Sequence, residues 1–126
     1  MRMLLYRPGK EPSEVEIEPN VEALSQVLGT EQYEWMTVRM LKLCVIHDPE
    51  GKASGHAVNR LLGMTPIYGD FLVCGIDWSD EGDTWPVGLV DKQVQLVTEV
   101  IFNKFPDPNN LEASLPSYAR NRKKDA

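Results

Sequence analysis

Polar and apolar residues alternate with period two over residues 14–18 (Glu14, Val15, Glu16, Ile17, Glu18), the signature of a half-buried strand. A short apolar run at residues 3–6 precedes it. Arg7-Pro8-Gly9-Lys10 between the two is a turn signal, so the pair reads as a hairpin. Asn20 suits the N-cap of a helix over residues 21–28, where Val21, Leu24, Val27 and Leu28 share one face and Gly29 supplies the stop. Residues 33–38, rich in aromatic and β-branched side chains, predict a further strand. Residues 41–47 and 71–76 are apolar on both faces, as strands in the middle of a sheet are. Asp48-Pro49-Glu50-Gly51 fits a type I turn, and residues 52–68 read as irregular, with a short helix around 57–62. A short extended piece at 84–87 leads to a closing helix from Lys92 to about Phe105. Asp91 is its expected cap, and Val94, Val97, Ile101 and Phe105 form its core-facing stripe.

The pattern predicts an α+β fold with a single, mainly antiparallel sheet of about five strands and two covering helices. The expected order is β-β-α-β-β-β-α. A chain of 126 residues has room for one core. Residues 1–105 are expected to form that single domain. Residues 106–126, beginning at the helix-stopping Pro106 and Pro108, read as a polar tail or an arm laid on the body.

Charge narrows the partners. The formal net charge is −6, and Arg120, Arg122, Lys123 and Lys124 against Asp125 give the last seven residues +3, leaving −9 on the rest. An acidic body disfavours direct nucleic-acid binding, which depends on Lys and Arg neutralising phosphates. No apolar stretch approaches the roughly 20 residues that span a bilayer, so no membrane partner is expected. The N-terminal apolar run is too short for a signal peptide, and the two cysteines, Cys44 and Cys74, sit inside apolar runs as buried thiols do in a reducing compartment; a cytoplasmic location is expected.

Familiar catalytic constellations are missing. Cys44, His47, His56 and Cys74 include a Cys-x-x-His, but residues three apart on a strand point to opposite faces, so no metal site is expected. There is no Gly-x-Ser-x-Gly elbow and no P-loop or dinucleotide-binding glycine pattern. No catalytic residues and no cofactor are assigned; an enzymatic role would have to draw on His47, His56 or Asp70. The carboxylates Glu14, Glu16 and Glu18 read as a solvated strand face that protects a sheet edge.

Two clusters stand out as candidate sites. Asn59-Arg60, nine residues before the strand that opens with Gly69-Asp70-Phe71, places fixed hydrogen-bonding groups at the sheet mouth. With Lys52 and Asp70 it forms a candidate site for a small anionic, nucleotide-like ligand, against the plainer reading that Arg60 pairs with Asp70. The second cluster is the acidic loop of Asp77, Asp80, Glu81 and Asp83, flanked by Trp78 and Trp85. Trp78, Trp85, Asp80 and Glu81 are the candidate protein interface, because an exposed Trp is a favoured anchor. The remaining aromatics, Trp35 among them, read as core or core rim. Small size and unpaired sheet edges allow a homodimer.

Several short motifs, in order, resemble a family of short, uncharacterised α+β proteins encoded mostly by bacteriophages, plasmids and other mobile elements of bacteria. They are Pro8-Gly9-Lys10-Glu11-Pro12, Val21-Glu22-Ala23-Leu24 ending at Gly29, Tyr33-Glu34, Glu50-Gly51-Lys52, Asn59-Arg60 and Ile67-Tyr68-Gly69-Asp70-Phe71. Val58 stands where the family pattern has Pro, and Asp91-Lys92-Gln93 replaces a Thr- or Ser-led cap. The resemblance implies a setting without a mechanism: an accessory protein that binds a host protein, possible targets including defence components. The expectation is therefore a non-catalytic binding protein, with a small-ligand binder second.

Overall fold

The Pro8-Gly9 turn closes a hairpin, with the Lys10 amide donating to the Arg7 carbonyl at 3.1 Å and Gly9 at φ +71°. In the computed structural model, which describes residues 1–119, this hairpin joins β1 (Arg2–Tyr6) to β2 (Ser13–Glu16). Asn20 then caps α1 (Val21–Leu28), its Oδ1 accepting from the Ala23 amide at 2.8 Å. Next come β3 (Glu34–Val38), a 3-10 turn (Arg39–Leu41), β4 (Leu43–His47), β5 (Val58–Leu62), β6 (Thr65–Tyr68), β7 (Phe71–Trp78), β8 (Thr84–Val87) and α2 (Asp91–Leu96).

The fold is α+β and its pairing is antiparallel throughout. The main sheet runs β2-β1-β7-β4-β3, and β8 pairs with the C-terminal half of β7 beyond the end of β1. It therefore has six strands, with β5 and β6 forming a separate two-stranded sheet, where about five strands in one sheet were expected. The difference lies in residues 52–68. The short helix expected around 57–62 is strand β5, and β6 follows after a turn with Gly63 at φ +62°. Asn59 and Arg60 interrupt the apolar alternation because both are buried polar residues, so the strand is masked in the sequence.

Period-two alternation sorts the core into two layers. Met3, Leu5, Cys44, Ile46, Leu72, Cys74 and Ile76 meet Leu24 of α1 on one face. Leu4, Tyr6, Leu43, Val45, Phe71 and Val73 face Ile67 of β6 and Leu89, Val97 and Phe102 on the other. Strands β4 and β7 are central, as their two-sided apolar pattern predicts.

The closing helix is shorter than expected and changes pitch. After Leu96 it continues as a π-helical turn, Val97–Ile101, with the Phe102 amide donating to the Val97 carbonyl at 2.9 Å. Its N-cap is Val90 rather than Asp91. Gln93 reaches back to accept from the Val90 amide at 3.0 Å, while Asp91 binds Arg2 at 2.7 Å. Arg2 also holds Glu14 at 2.6 Å, and the N-terminal amine lies 3.1 Å from Glu16, so the acidic face of β2 is partly neutralised.

Beyond Phe105 the chain makes a 3-10 turn (Leu111–Ser114), where Ser114 Oγ accepts from the Asp107 amide at 2.7 Å, and Ala119 is buried. The basic cluster of Arg120, Arg122, Lys123 and Lys124 lies outside the described residues. Among those described, no helix is long and apolar enough to cross a membrane.

Candidate functional site

A register shift in β5 between Val58 and Arg60 turns Asn59 inward, where its Nδ2 donates to the Tyr6 carbonyl at 2.9 Å and the Gly69 carbonyl at 2.7 Å. Gly69 has φ +78°, a conformation that suits glycine. One amide thus ties the β5–β6 hairpin to β1 and to the turn before β7. Arg60 Nη1 donates to the Asn59 carbonyl at 2.9 Å and to Asn59 Oδ1 at 3.2 Å, and Nη2 donates to the Lys10 carbonyl at 2.7 Å. The guanidinium carbon lies 4.1 Å from the Phe105 ring centroid and 5.3 Å from that of Tyr6, and Arg60 is 1% exposed.

The pairing of Arg60 with Asp70 does not occur. Asp70 Oδ2 lies 3.9 Å from Arg7 Nε, and the exposed Lys52 has its Nζ 5.8 Å from the Tyr68 ring centroid. Lys52, Asp70 and Arg60 thus have separate partners and do not converge with Asn59 on one opening. Burial pushes the Arg60 guanidinium down from its ordinary range, opposed by Tyr6 and Glu11. Two buried polar atoms, Arg60 Nε and the Tyr6 hydroxyl, have no hydrogen-bond partner among the described residues.

Burial pushes the Tyr6 phenol up to about 12, with Glu11 adding to the shift and Arg60 opposing it. The raised folded-state value means that the protonated phenol supports folding fully below the unfolded value of roughly 10. That support is lost as pH rises from there through about 12. Tyr6→Phe removes an unpartnered buried hydroxyl, so it should leave stability at pH 7 unchanged or raise it by about 1 kcal/mol. It should also flatten the alkaline loss. Urea unfolding of both proteins at neutral and alkaline pH checks the two effects together.

The second cluster lies on the β7–β8 hairpin, where Trp78 pairs with Thr84 and Asp77 with Trp85. The loop is held by its own hydrogen bonds, Ser79 N to Asp83 O at 2.9 Å and Gly82 N to Ser79 O at 3.0 Å, with Asp80 and Glu81 exposed at its tip. Trp78 is half-buried, with the Arg39 guanidinium 4.4 Å and the Lys42 ammonium 5.4 Å from its ring centroid. Trp85 is 44% exposed.

Trp35, read from the sequence as core or core rim, is 40% exposed. Opposite it in register is Ile46, and opposite Thr37 is Cys44, so both belong to the face that α1 covers elsewhere. At this end of the sheet that face is open, and both residues are exposed. The alternation of Glu34-Trp35-Met36-Thr37-Val38 carried this signal, since Trp35 and Thr37 share a face opposite Met36 and Val38. The outcome is a groove of about 240 Å³ lined by Trp35, Thr37, Ile76, Thr84, Trp85 and Pro86, with Cys44 also contributing.

Cys44 and Cys74 are buried free thiols directly opposite each other on β4 and β7. The hydrogen bond with Cys44, and then burial, push the Cys74 thiol up, away from thiolate chemistry. Among the described residues no group of three or more His, Cys, Asp and Glu is placed to hold a metal ion.

Residues 1–101 match the family described as Domain of unknown function (DUF3846). No curated protein and no solved structure matches the chain.

Proposed function

The chain belongs to the DUF3846 family of domains of unknown function, and on that footing we propose that it is a non-catalytic binding protein whose Trp35–Trp85 groove receives an apolar segment of another protein. The observation behind this reading is the groove itself: the half-exposed Trp35 beside an apolar floor of Ile76, with Thr37, Thr84, Trp85 and Pro86 completing the lining. Large aromatic rings at a concave surface bury much area for little side-chain entropy, which is why Trp anchors dominate measured interfaces. Asp80 and Glu81 at the hairpin tip would form an acidic rim and favour a partner with basic residues around its apolar contact. The resemblance to proteins of phages, plasmids and other mobile elements supports a bacterial host protein as that partner, a component of host defence included, and a cytoplasmic encounter.

Capture from a lysate of the bacterial host, wild type beside Trp85→Ala, tests the reading. Truncating a central anchor costs at least about 2 kcal/mol, roughly 30-fold in Kd. A specific protein held by wild type and lost with Trp85→Ala is the expected result, with an unchanged melting temperature. Equal capture by both proteins would reject the groove.

A second reading, sequestration of a small anionic molecule by Arg60, draws on the unpartnered Arg60 Nε and Tyr6 hydroxyl. It requires Phe105 to leave the guanidinium face that it covers at 4.1 Å.

A further inference from the structure

We propose that β3 is the seam of a twofold dimer, in which two copies of this chain pair their β3 edges antiparallel around Met36. The open strands of this molecule differ sharply in how they are protected. Strand β2 is four residues long and carries Glu14 and Glu16. Strand β8 contains Pro86, β6 contains Pro66, and β5 is interrupted by its register shift. Charges, prolines and bulges of these kinds are the devices that keep sheet edges from pairing with other chains. Strand β3 has none of them. It is Glu34-Trp35-Met36-Thr37-Val38, in unbroken register with β4 over all five residues, and its one charge is at its start.

At one margin of the main sheet, β3 pairs only with β4. Among the described residues no backbone hydrogen bond joins its outer side to another segment. The residues around it are apolar as well as open: Trp35 is 40% exposed, and Met40, two positions past the strand, is 97% exposed.

A second copy fits this edge better than an arbitrary strand does. With Met36 on the dyad, Trp35 lies opposite Thr37 of the second copy, and Glu34 lies opposite its Val38. Each opposing pair falls on the same face, because Trp35 and Thr37 share one side of the sheet and Met36 and Val38 the other. An aromatic ring against a β-branched neighbour is a favourable cross-strand pair, and the dyad makes it twice. Charge complements in the same way. The acidic start of β3 (Glu34) meets the end of the second β3, which Arg39 follows, and the symmetry repeats this at the other end. The six-stranded sheets become continuous, and the two Trp35–Trp85 grooves approach each other across the seam. This inference concerns self-association and stands whether or not the groove has a protein partner.

Sedimentation of the full chain over a concentration series should show a species of twice the 14.2 kDa chain mass. Thr37 is exposed, so Thr37→Glu should leave the circular dichroism unchanged while returning the chain to monomer mass. Register is read separately by cysteine linkage. Residues directly opposite have Cα atoms roughly 4.5–5.5 Å apart, inside disulfide reach, whereas the offset between two copies of residue 37 exceeds the limit of about 7 Å. Met36→Cys should therefore link the copies under mild oxidation, and Thr37→Cys should not. A monomer at every concentration, a dimer indifferent to Thr37→Glu, or linkage through Thr37→Cys in place of Met36→Cys would each overturn the proposal.

Discussion

Asn59→Ala is expected to lower folding stability by about 3 kcal/mol, since it leaves buried carbonyls without donors at roughly 1–3 kcal/mol each. The amide is fully buried, and its two bonds, to Tyr6 O at 2.9 Å and Gly69 O at 2.7 Å, join three separate parts of the chain. The substitution also removes the Oδ1 that Arg60 Nη1 reaches at 3.2 Å. Asn59→Asp should cost at least as much at pH 7, because a carboxylate offers no donor to either carbonyl and would be buried beside them. Urea unfolding measures both, and a loss below about 1 kcal/mol for either would show that water replaces the amide without penalty.

Arg60→Ala should be the costliest single change, at about 4 kcal/mol. It opens a cavity under Phe105 and strips the Lys10 and Asn59 carbonyls of donors. Arg60→Met should cost less, about 2–3 kcal/mol, because it fills the space under Phe105 although it too leaves the Lys10 and Asn59 carbonyls without donors. The guanidinium is also buried without a carboxylate within salt-bridge distance among the described residues, and its Nε has no partner. A buried charge compensated only by carbonyls and ring faces carries a desolvation penalty that a thioether of similar length avoids. Arg60→Lys keeps the charge but loses the planar fork that serves Asn59 and Lys10 together, so it should be worse than Met. The order Met, Lys, Ala from most to least stable, read from the same unfolding curves, checks the argument. If Met proved as damaging as Ala, the charge itself would be what holds the hairpin.

The parts of this molecule that can be read from its sequence are those where local pattern and tertiary environment agree. Residues 71–76 form a central strand because both faces meet core, and Asn20 and Gly29 bound α1 because capping is local chemistry. Strands β5 and β6 escape the pattern for a physical reason. Asn59 and Arg60 behave as core residues only because carbonyls of Tyr6, Lys10 and Gly69 come to them from distant positions, which no local rule anticipates. The closing helix keeps the spacing of Val94, Val97 and Ile101, but its π turn shortens it and leaves Phe105 free to cover Arg60.

The candidate sites follow the same division. Asn59-Arg60 reads from the sequence as a ligand site because adjacent hydrogen-bonding groups at the mouth of a sheet look specified, yet the same specification serves as well to clamp a hairpin. Trp85 was legible as exposed through its acidic, turn-rich neighbourhood. For Trp35 the alternation gives the face it shares with Thr37, but not that this face stays uncovered there, which is a matter of tertiary packing.

Asn59-Arg60 is thus architectural, and binding is proposed for the groove beside Trp35 and Trp85. The most direct test is capture of the same partner by wild type, Trp85→Ala and Arg60→Met, at a temperature where all three are folded. Trp85→Ala should lose the partner, while Arg60→Met should retain it despite its lower melting temperature. Loss with Arg60→Met and retention with Trp85→Ala would contradict binding at the groove and place the function at the buried arginine.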